Sequence, residues 1–208
     1  MKKDWQARLE AISQMDRELW KEGTVFAGLD EAGRGPLCGP VAAACVIMPP
    51  EPLLLYVDDS KQLTEKRREM LYEQIMKTAV YARVVMAEPE EIDRINILEA
   101  TRRAMAEAAR EAPCRLFLVD AIKSLEVEGE VRGIVHGDAL CYSIAAASIL
   151  AKVSRDRLMR EYDRQYPQYG FARNKGYGTA EHIRALREYG PCPIHRRSFI
   201  GHFVPPDR

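Results

Sequence analysis

The sequence predicts an α/β fold: a mixed central β-sheet flanked by helices, with a helical extension at each end of the chain. Three observations carry this prediction. Two apolar runs, one alternating through Val25, Ala27 and Leu29 and one continuous from Val41 to Met48, lie close enough to pair antiparallel. Two later apolar runs, Arg115–Val119 and Val131–Val135, follow segments with helical patterning. The full order is strand, strand, helix, strand, helices, strand, strand, long helix, which builds a mixed sheet covered on both faces. With 208 residues, 47% of them hydrophobic and 30% charged, the chain suits one compact domain with at most a small appendage. Residues 1–22 read as an N-terminal helical extension, and 23–208 as a single domain that includes a C-terminal helical region.

Taken in order, residues 4–21 read as one amphipathic helix, with Trp5, Leu9, Ile12, Met15 and Leu19 at three- and four-residue spacing, packed on the domain as a prop. The first strand runs into Asp30 and Glu31, then a turn, Gly33-Arg34-Gly35-Pro36, then the second strand. Pro49-Pro50-Glu51-Pro52 interrupts structure. Thr64 is placed as the N-cap of a helix over 65–78, with Glu65 in its first turn. A strand over 80–87, two short helices over 88–94 and 96–111, and the apolar strand ending at Asp120 follow. After the strand at 131–135 comes His136-Gly137-Asp138 and a long helix, about 139–166. Its first half is small and apolar. Its second half carries Lys152, Arg155, Arg157, Arg160 and Arg164 and is expected to leave the core as a basic surface. A Gly-, Tyr- and Lys/Arg-rich loop spans 167–178, and Thr179 caps a last helix to about Tyr189.

Formal net charge is zero, so the overall balance names no partner. Its distribution is uneven: residues 151–208 carry 12 Lys/Arg against 6 Asp/Glu, and residues 1–150 carry 19 against 25. An acidic half beside a basic half fits a metal-dependent enzyme on a polyanion, although on charge alone ordinary surface variation is the better reading. The five cysteines, Cys38, Cys45, Cys114, Cys141 and Cys192, form no C-x-x-C pair and are odd in number, which argues against disulfides and a structural zinc site. No signal peptide is visible, and no apolar run approaches a bilayer span, so a soluble cytoplasmic protein without a membrane partner is expected.

Acidic groups at the end of a core strand are held rigid and partly desolvated, a poor place for charge unless a cation or a catalytic task compensates it. Asp30, Glu31, Asp120 and Asp138 all stand at or just past strand ends. Hydrolysis of a phosphodiester needs an activated water and a stabilised leaving oxygen, which two divalent cations about 3.5–4 Å apart supply, and hard carboxylate oxygens suit them. Each residue has a plainer reading: Asp120 as a polar stop, Glu31 as solvated, and Asp138 as a helix N-cap, the better local reading. Spacing alone does not bring the four together.

The string Asp30-Glu31-Ala32-Gly33-Arg34-Gly35-Pro36-Leu37-Cys38-Gly39-Pro40-Val41 resembles the signature of the ribonuclease HII family almost letter for letter. The stretches at Asp59-Ser60-Lys61, at 145–156 (AAASILAKVSRD), at 175–179 (KGYGT) and at 195–199 (HRRSF) resemble further family motifs, in the expected order, from about Thr24 to Phe199. Related type 3 enzymes carry Glu as the fourth carboxylate and an extra N-terminal domain; Asp138 and the short leader match type 2 better.

The resemblance implies a ribonuclease H-like fold and an endoribonuclease that hydrolyses the RNA strand of RNA–DNA hybrids. It also implies nicking of duplex DNA 5′ to an embedded ribonucleotide, with 3′-hydroxyl and 5′-phosphate ends, for ribonucleotide excision and primer removal. Asp30, Glu31, Asp120 and Asp138 would be the catalytic quartet, binding two Mg²⁺ or Mn²⁺ ions. Gly33, Arg34 and Gly35 would sense the 2′-hydroxyl, and Tyr177 would stack on the deoxyribose that follows the ribonucleotide. Ser60, Lys61, Ser148 and Lys152 would hold phosphates, with Asp156 orienting a neighbouring Arg or Lys. His195 reads as structural. No sliding-clamp peptide is evident in the C-terminal FIGHFVPPDR, and a monomer is expected. Two rivals are weighed: a silent nucleic-acid-binding module, which should lack one carboxylate, and an aspartyl-phosphate phosphohydrolase, which would need an Asp-x-Asp motif where Asp30-Glu31-Ala32 stands.

Overall fold

The computed structural model describes residues 4–204 apart from 121 and 123. The last four residues of the C-terminal stretch searched for a clamp peptide lie outside the described residues. A five-stranded sheet runs through the centre in the order β3-β2-β1-β4-β5. Its strands are β1 (Phe26–Ala32), β2 (Val41–Ile47), β3 (Tyr81–Ala87), β4 (Leu116–Asp120) and β5 (Glu130–Ile134). β1 pairs antiparallel with β2, and β2 with β3; β1 pairs parallel with β4, and β4 with β5, so the sheet is mixed as expected.

Ten helices complete the described chain: α1 (Trp5–Ile12), α2 (Gln14–Lys21), α3 (Glu65–Thr78), α4 (Pro89–Ile95), α5 (Ile97–Ala109), α6 (Gly137–Leu140), α7 (Tyr142–Gln165), α8 (Phe171–Asn174), α9 (Ala180–Tyr189) and α10 (Arg197–Ile200). Thr64 and Thr179 cap α3 and α9 through their hydroxyls, as the sequence predicts. The alternation of β2 splits the core. Ala42, Ala44 and Val46 pack with α1, α3 and α7 on one face, and Val41, Ala43, Cys45 and Ile47 pack with α5 on the other. The five cysteines are free and buried.

Four local expectations change. The alternation through Val25, Ala27 and Leu29 predicts a half-buried first strand, yet Phe26 to Asp30 of β1 are all buried, because Gly28 lets the strand press against the start of α7. A Cβ at Gly28 would stand 2.2 Å from the Ser143 carbonyl carbon. The N-terminal helix is two helices, broken at Ser13, whose hydroxyl bonds back to the Leu9 carbonyl at 2.7 Å. That break lets α2 present a fully buried Asp16 to the start of α7. There it accepts from the amides of Tyr142 and Ser143, both at 2.9 Å, and from the Ser143 hydroxyl at 2.5 Å. The predicted prop is therefore also the cap of the longest helix.

The long helix is interrupted at Cys141, so Asp138 sits inside the short turn α6 and is not its N-cap, which is His136. Nor does the second half of α7 present a free basic surface. Arg157 reaches Glu69 at 2.7 Å and Glu73 at 2.8 Å on α3, Arg160 reaches Glu69 at 2.6 Å and pairs with Glu65, and Arg155 is buried. The helix stays packed because α3 carries the complementary acidic stripe.

Candidate active site

Parallel pairing of β1 and β4 sets Leu29 level with Val119. Asp30 and Asp120, one residue on in each strand, thus leave neighbouring strands at the same height, at the carboxyl ends where open α/β sheets form their crevice. The third carboxylate arrives from α6. Asp120 Oδ1 accepts the Gly137 amide at 2.9 Å, which docks the turn and brings Asp138 alongside. Close approach there depends on Gly137, since a Cβ would lie 2.6 Å from Ile144 Cδ1. Asp30, Asp120 and Asp138 each offer an oxygen within 4.8 Å of the others, with Asp30 and Asp138 buried.

Glu31, the next residue along β1, stands beside this group, and its charge acts on Asp30. Its Oε1 meets Arg34 Nη1 at 3.4 Å, while Oε2 is buried with no hydrogen-bond partner among the described residues. Burial, and then the charge of Glu31, push the Asp30 carboxyl well above the usual range, against the Glu31 amide that it accepts at 2.7 Å. Burial also raises Glu31, opposed by Arg34. It raises Asp120 as well, opposed by the Gly137 amide and reinforced by Asp138. Among the described residues a lysine reaches the cluster: Lys61 Nζ donates to Asp138 Oδ2 at 3.0 Å from a side chain that is three-quarters exposed. Four clustered carboxylates, one with an orphaned buried oxygen, face Lys61 and Arg34, and the donors are hard oxygens throughout. This set fits divalent Mg²⁺ or Mn²⁺ and not a soft metal.

The other predicted residues fall into two groups. Ser60 and Ser148 are buried beneath the carboxylates and bond each other at 2.8 Å, and Ser148 also stabilises the Asp30 charge. They support the site from below, so the expectation that they hold phosphates shifts to the exposed Lys61. Lys152 is half-buried and donates to Asp156 at 2.7 Å, with Arg68 3.9 Å from the same carboxylate, so Asp156 orients two cations as expected. Gly33, Arg34, Gly35 and Tyr177 form the second group, on the rim. Arg34 and Gly35 are exposed, and a Cβ at Gly35 would stand 3.8 Å from Tyr177 Cε1. Tyr177 itself is 46% exposed. The two loops are tied by the Leu37 amide donating to the Gly176 carbonyl at 2.8 Å. Among the described residues, the amides of Arg34 and Gly35 and the carbonyl of Gly35 meet no protein partner.

A buried histidine pair, not foreseen as a pair, lies behind this rim. His182 Nδ1 faces the Tyr177 carbonyl at 3.0 Å and must carry the proton, since a carbonyl only accepts. His182 Nε2 is then bare and accepts from His195 Nε2 at 3.1 Å, while His195 Nδ1 accepts the Cys192 amide at 3.0 Å. Both rings are satisfied as neutral imidazoles; burial lowers both, His195 to about 4. Cys38 completes a tight Cys-His-His group, but burial pushes its thiol up to about 12, and the hydrogen bonds account for both rings without an ion. His195 is structural, as expected. Elsewhere, a cavity of about 950 Å³ opens between β3, α5 and the segments around Cys114 and Val127, and it shares no residue with the carboxylates.

Comparison with known proteins agrees with this geometry. Residues 27–202 match the family model described as Ribonuclease HII. A Ribonuclease HII of Desulfitobacterium hafniense is 52% identical over 206 residues, covering 95% of this chain and 79% of that protein. Among solved structures, the ribonuclease H2 from Pyrococcus horikoshii OT3 superposes with a TM-score of 0.70 at 28% identity, covering 84% of this chain and 93% of that one. The structure of the PCNA:RNase HII complex from Archaeoglobus fulgidus gives 0.74 at 26% identity, covering 86% and 96%.

Proposed function

The chain belongs to the ribonuclease HII family and is a type 2 ribonuclease H, and from that premise we propose that it is an endonuclease for ribonucleotides in DNA. It hydrolyses the RNA strand of RNA–DNA hybrids. It nicks duplex DNA on the 5′ side of an embedded ribonucleotide and leaves 3′-hydroxyl and 5′-phosphate ends. Residues 23–208 form the catalytic domain, with 1–22 as its helical extension. The observation that carries the reading is the convergence of Asp30, Asp120 and Asp138 within 4.8 Å of one another, beside the Gly33–Gly35 turn and Tyr177.

Asp30, Asp120 and Asp138, with Glu31 beside them, would hold two Mg²⁺ or Mn²⁺ ions. When bound, such ions supply water activation and charge neutralisation at the phosphate. The chain's own residues do the rest. Asp30 and Asp138 are buried and rigidly seated, so the oxygens are preorganised. Lys61 offsets their repulsion and, being exposed, can pass to an incoming phosphate. The free amides of Arg34 and Gly35 and the free carbonyl of Gly35 offer donors and an acceptor at one point of the rim, matching a 2′-hydroxyl that is both. Tyr177 presents its ring next to that point, where it can stack on the following sugar. Arg34, salt-bridged to Glu31, keeps a positive charge near the phosphate path.

The test is hydrolysis of a labelled RNA–DNA hybrid in Mg²⁺ or Mn²⁺, by the protein and by Asp138→Asn. Cutting of the RNA strand by the protein, lost in the variant and in chelator, supports the reading. A variant as active as the wild type contradicts it.

A further inference from the structure

Two guanidiniums, Arg155 and Arg196, are 1% and 0% exposed, and neither makes an ion pair with a carboxylate among the described residues. Burying an unpaired charge is strongly unfavourable unless its donors are all taken, so their partners identify their task. Every bond they make goes to a backbone carbonyl. Arg196 donates from Nε to Gly39 at 2.9 Å, from Nη1 to Arg34 and Pro36, each at 2.9 Å, and from Nη2 to Gly33 at 2.6 Å. Arg155 donates to Pro40 at 2.8 Å, Cys38 at 3.0 Å and Lys175 at 2.9 Å. The Leu37 carbonyl accepts the Arg196 amide at 2.9 Å. Along residues 33–40, the two arginines therefore hold every carbonyl except that of Gly35.

We infer that Arg155 and Arg196 are positioning residues for ribonucleotide recognition: they grip the Gly33–Pro40 turn by its carbonyls and so hold the unpartnered groups of Arg34 and Gly35 facing outward. The inference rests on the reading that this turn senses a 2′-hydroxyl, and it names what makes the turn rigid enough to do so. Two further features fit. Gly33 has φ +95°, and a Cβ there would stand 2.0 Å from Arg155 Nε, so the turn is moulded onto the guanidinium. Arg155 also holds Lys175, two residues before Tyr177, so one side chain sets the spacing of both rim loops. A planar fork with five donors can span carbonyls that an ammonium cannot, so lysine is no substitute here. Arg196 rests on the Phe199 ring, 5.1 Å from its centroid.

The experiment measures binding by fluorescence anisotropy in Ca²⁺, for a duplex with one embedded ribonucleotide and for the same duplex in all-DNA form, alongside Mn²⁺ affinity by calorimetry. The wild type should prefer the ribonucleotide duplex. Arg196→Lys should lose about tenfold of that preference, the scale of loss that accompanies small misplacement of a recognition group. All-DNA affinity and Mn²⁺ affinity should fall much less than that, since neither depends on a contact to the 2′-hydroxyl. Phe199→Leu keeps both guanidiniums and loosens one. It should show a smaller loss in the same direction, and it decides the matter if Arg196→Lys does not fold. Folded variants that keep the full preference overturn the clamp alone. A wild type that binds both duplexes equally overturns the functional reading, and the clamp with it.

Discussion

Replacing Asp30 by Asn should abolish activity and, in the metal-free protein, raise stability. Asp30, Asp120 and Asp138 hold oxygens within 4.8 Å of one another. At an effective dielectric constant of about 20, two full charges at that separation repel by about 3.5 kcal/mol. Lys61 returns part of this, and partial protonation another part, leaving a net gain of about 2–3 kcal/mol for the neutral amide. Asn retains an oxygen for the Glu31 amide, and its NH₂ can donate to the Ser148 hydroxyl that the carboxylate accepts from. For a chain of this length the gain corresponds to about 5–10 °C in Tm.

The sign with pH follows from the raised Asp30 carboxyl. Its protonated form is favoured in the folded state. The stability tied to it is therefore full below the ordinary carboxylate value near 4 and is lost as pH rises through the raised one. The advantage of Asn should therefore be larger at about pH 8 than at about pH 5. Saturating Mn²⁺ should cancel most of this advantage, because an ion at 100 times its Kd adds about 2.7 kcal/mol to the wild type and less to a variant missing a ligand. The assay is thermal unfolding of both proteins in chelator and in Mn²⁺, at both pH values. A variant less stable than wild type in chelator, or an advantage independent of pH, would refute the electrostatic reasoning.

Other outcomes are equally direct. Asp16→Ala should cost about 3 kcal/mol by chemical denaturation, since it strands two buried amides and a hydroxyl at the start of α7, and Asp16→Asn should cost less. Tyr177→Ala should slow cleavage at embedded ribonucleotides about tenfold or more while Mn²⁺ affinity by calorimetry is unchanged, as the ring is exposed on the rim and touches no carboxylate. The lowered histidines favour the neutral form when folded, so the stability they give is full above about 6.5 and is lost as pH falls toward the value near 4 of His195. Circular dichroism of acid unfolding should then show a slope approaching about 1.4 kcal/mol per pH unit from His195, reduced in His195→Phe.

What the sequence discloses depends on the range of the interaction. Thr64, Thr179 and the strand ending at Asp120 act locally and are legible, as are the two early strands that pair as a hairpin. The carboxylate quartet is legible only through the family resemblance, because Asp30, Asp120 and Asp138 meet through strand register and the docking of α6, which no spacing encodes. Asp16, Arg155 and Arg196 escaped as structural anchors because charged residues in amphipathic or basic stretches look solvated. Most of their partners are backbone groups more than a hundred residues away, as in the Arg196 bonds to Gly33 and Gly39. Likewise, α7 looks like a basic surface until the acidic stripe of α3, Glu65, Glu69 and Glu73, is set against it. One signal was available: Asp16 interrupts an otherwise apolar helix face between Ile12 and Leu19, and a charge there asks for a buried partner.

The most direct test is a duplex DNA with a single ribonucleotide, labelled at either end, incubated with the protein and Mg²⁺ beside an all-DNA duplex of the same sequence. A single nick on the 5′ side of the ribonucleotide, with a 3′-hydroxyl on the upstream fragment and no cut in the all-DNA control, is the expected result. Cleavage of both duplexes, or of neither in Mg²⁺ and Mn²⁺ alike, would contradict a site built from Asp30, Asp120 and Asp138 to act where the Gly33–Gly35 turn finds a 2′-hydroxyl.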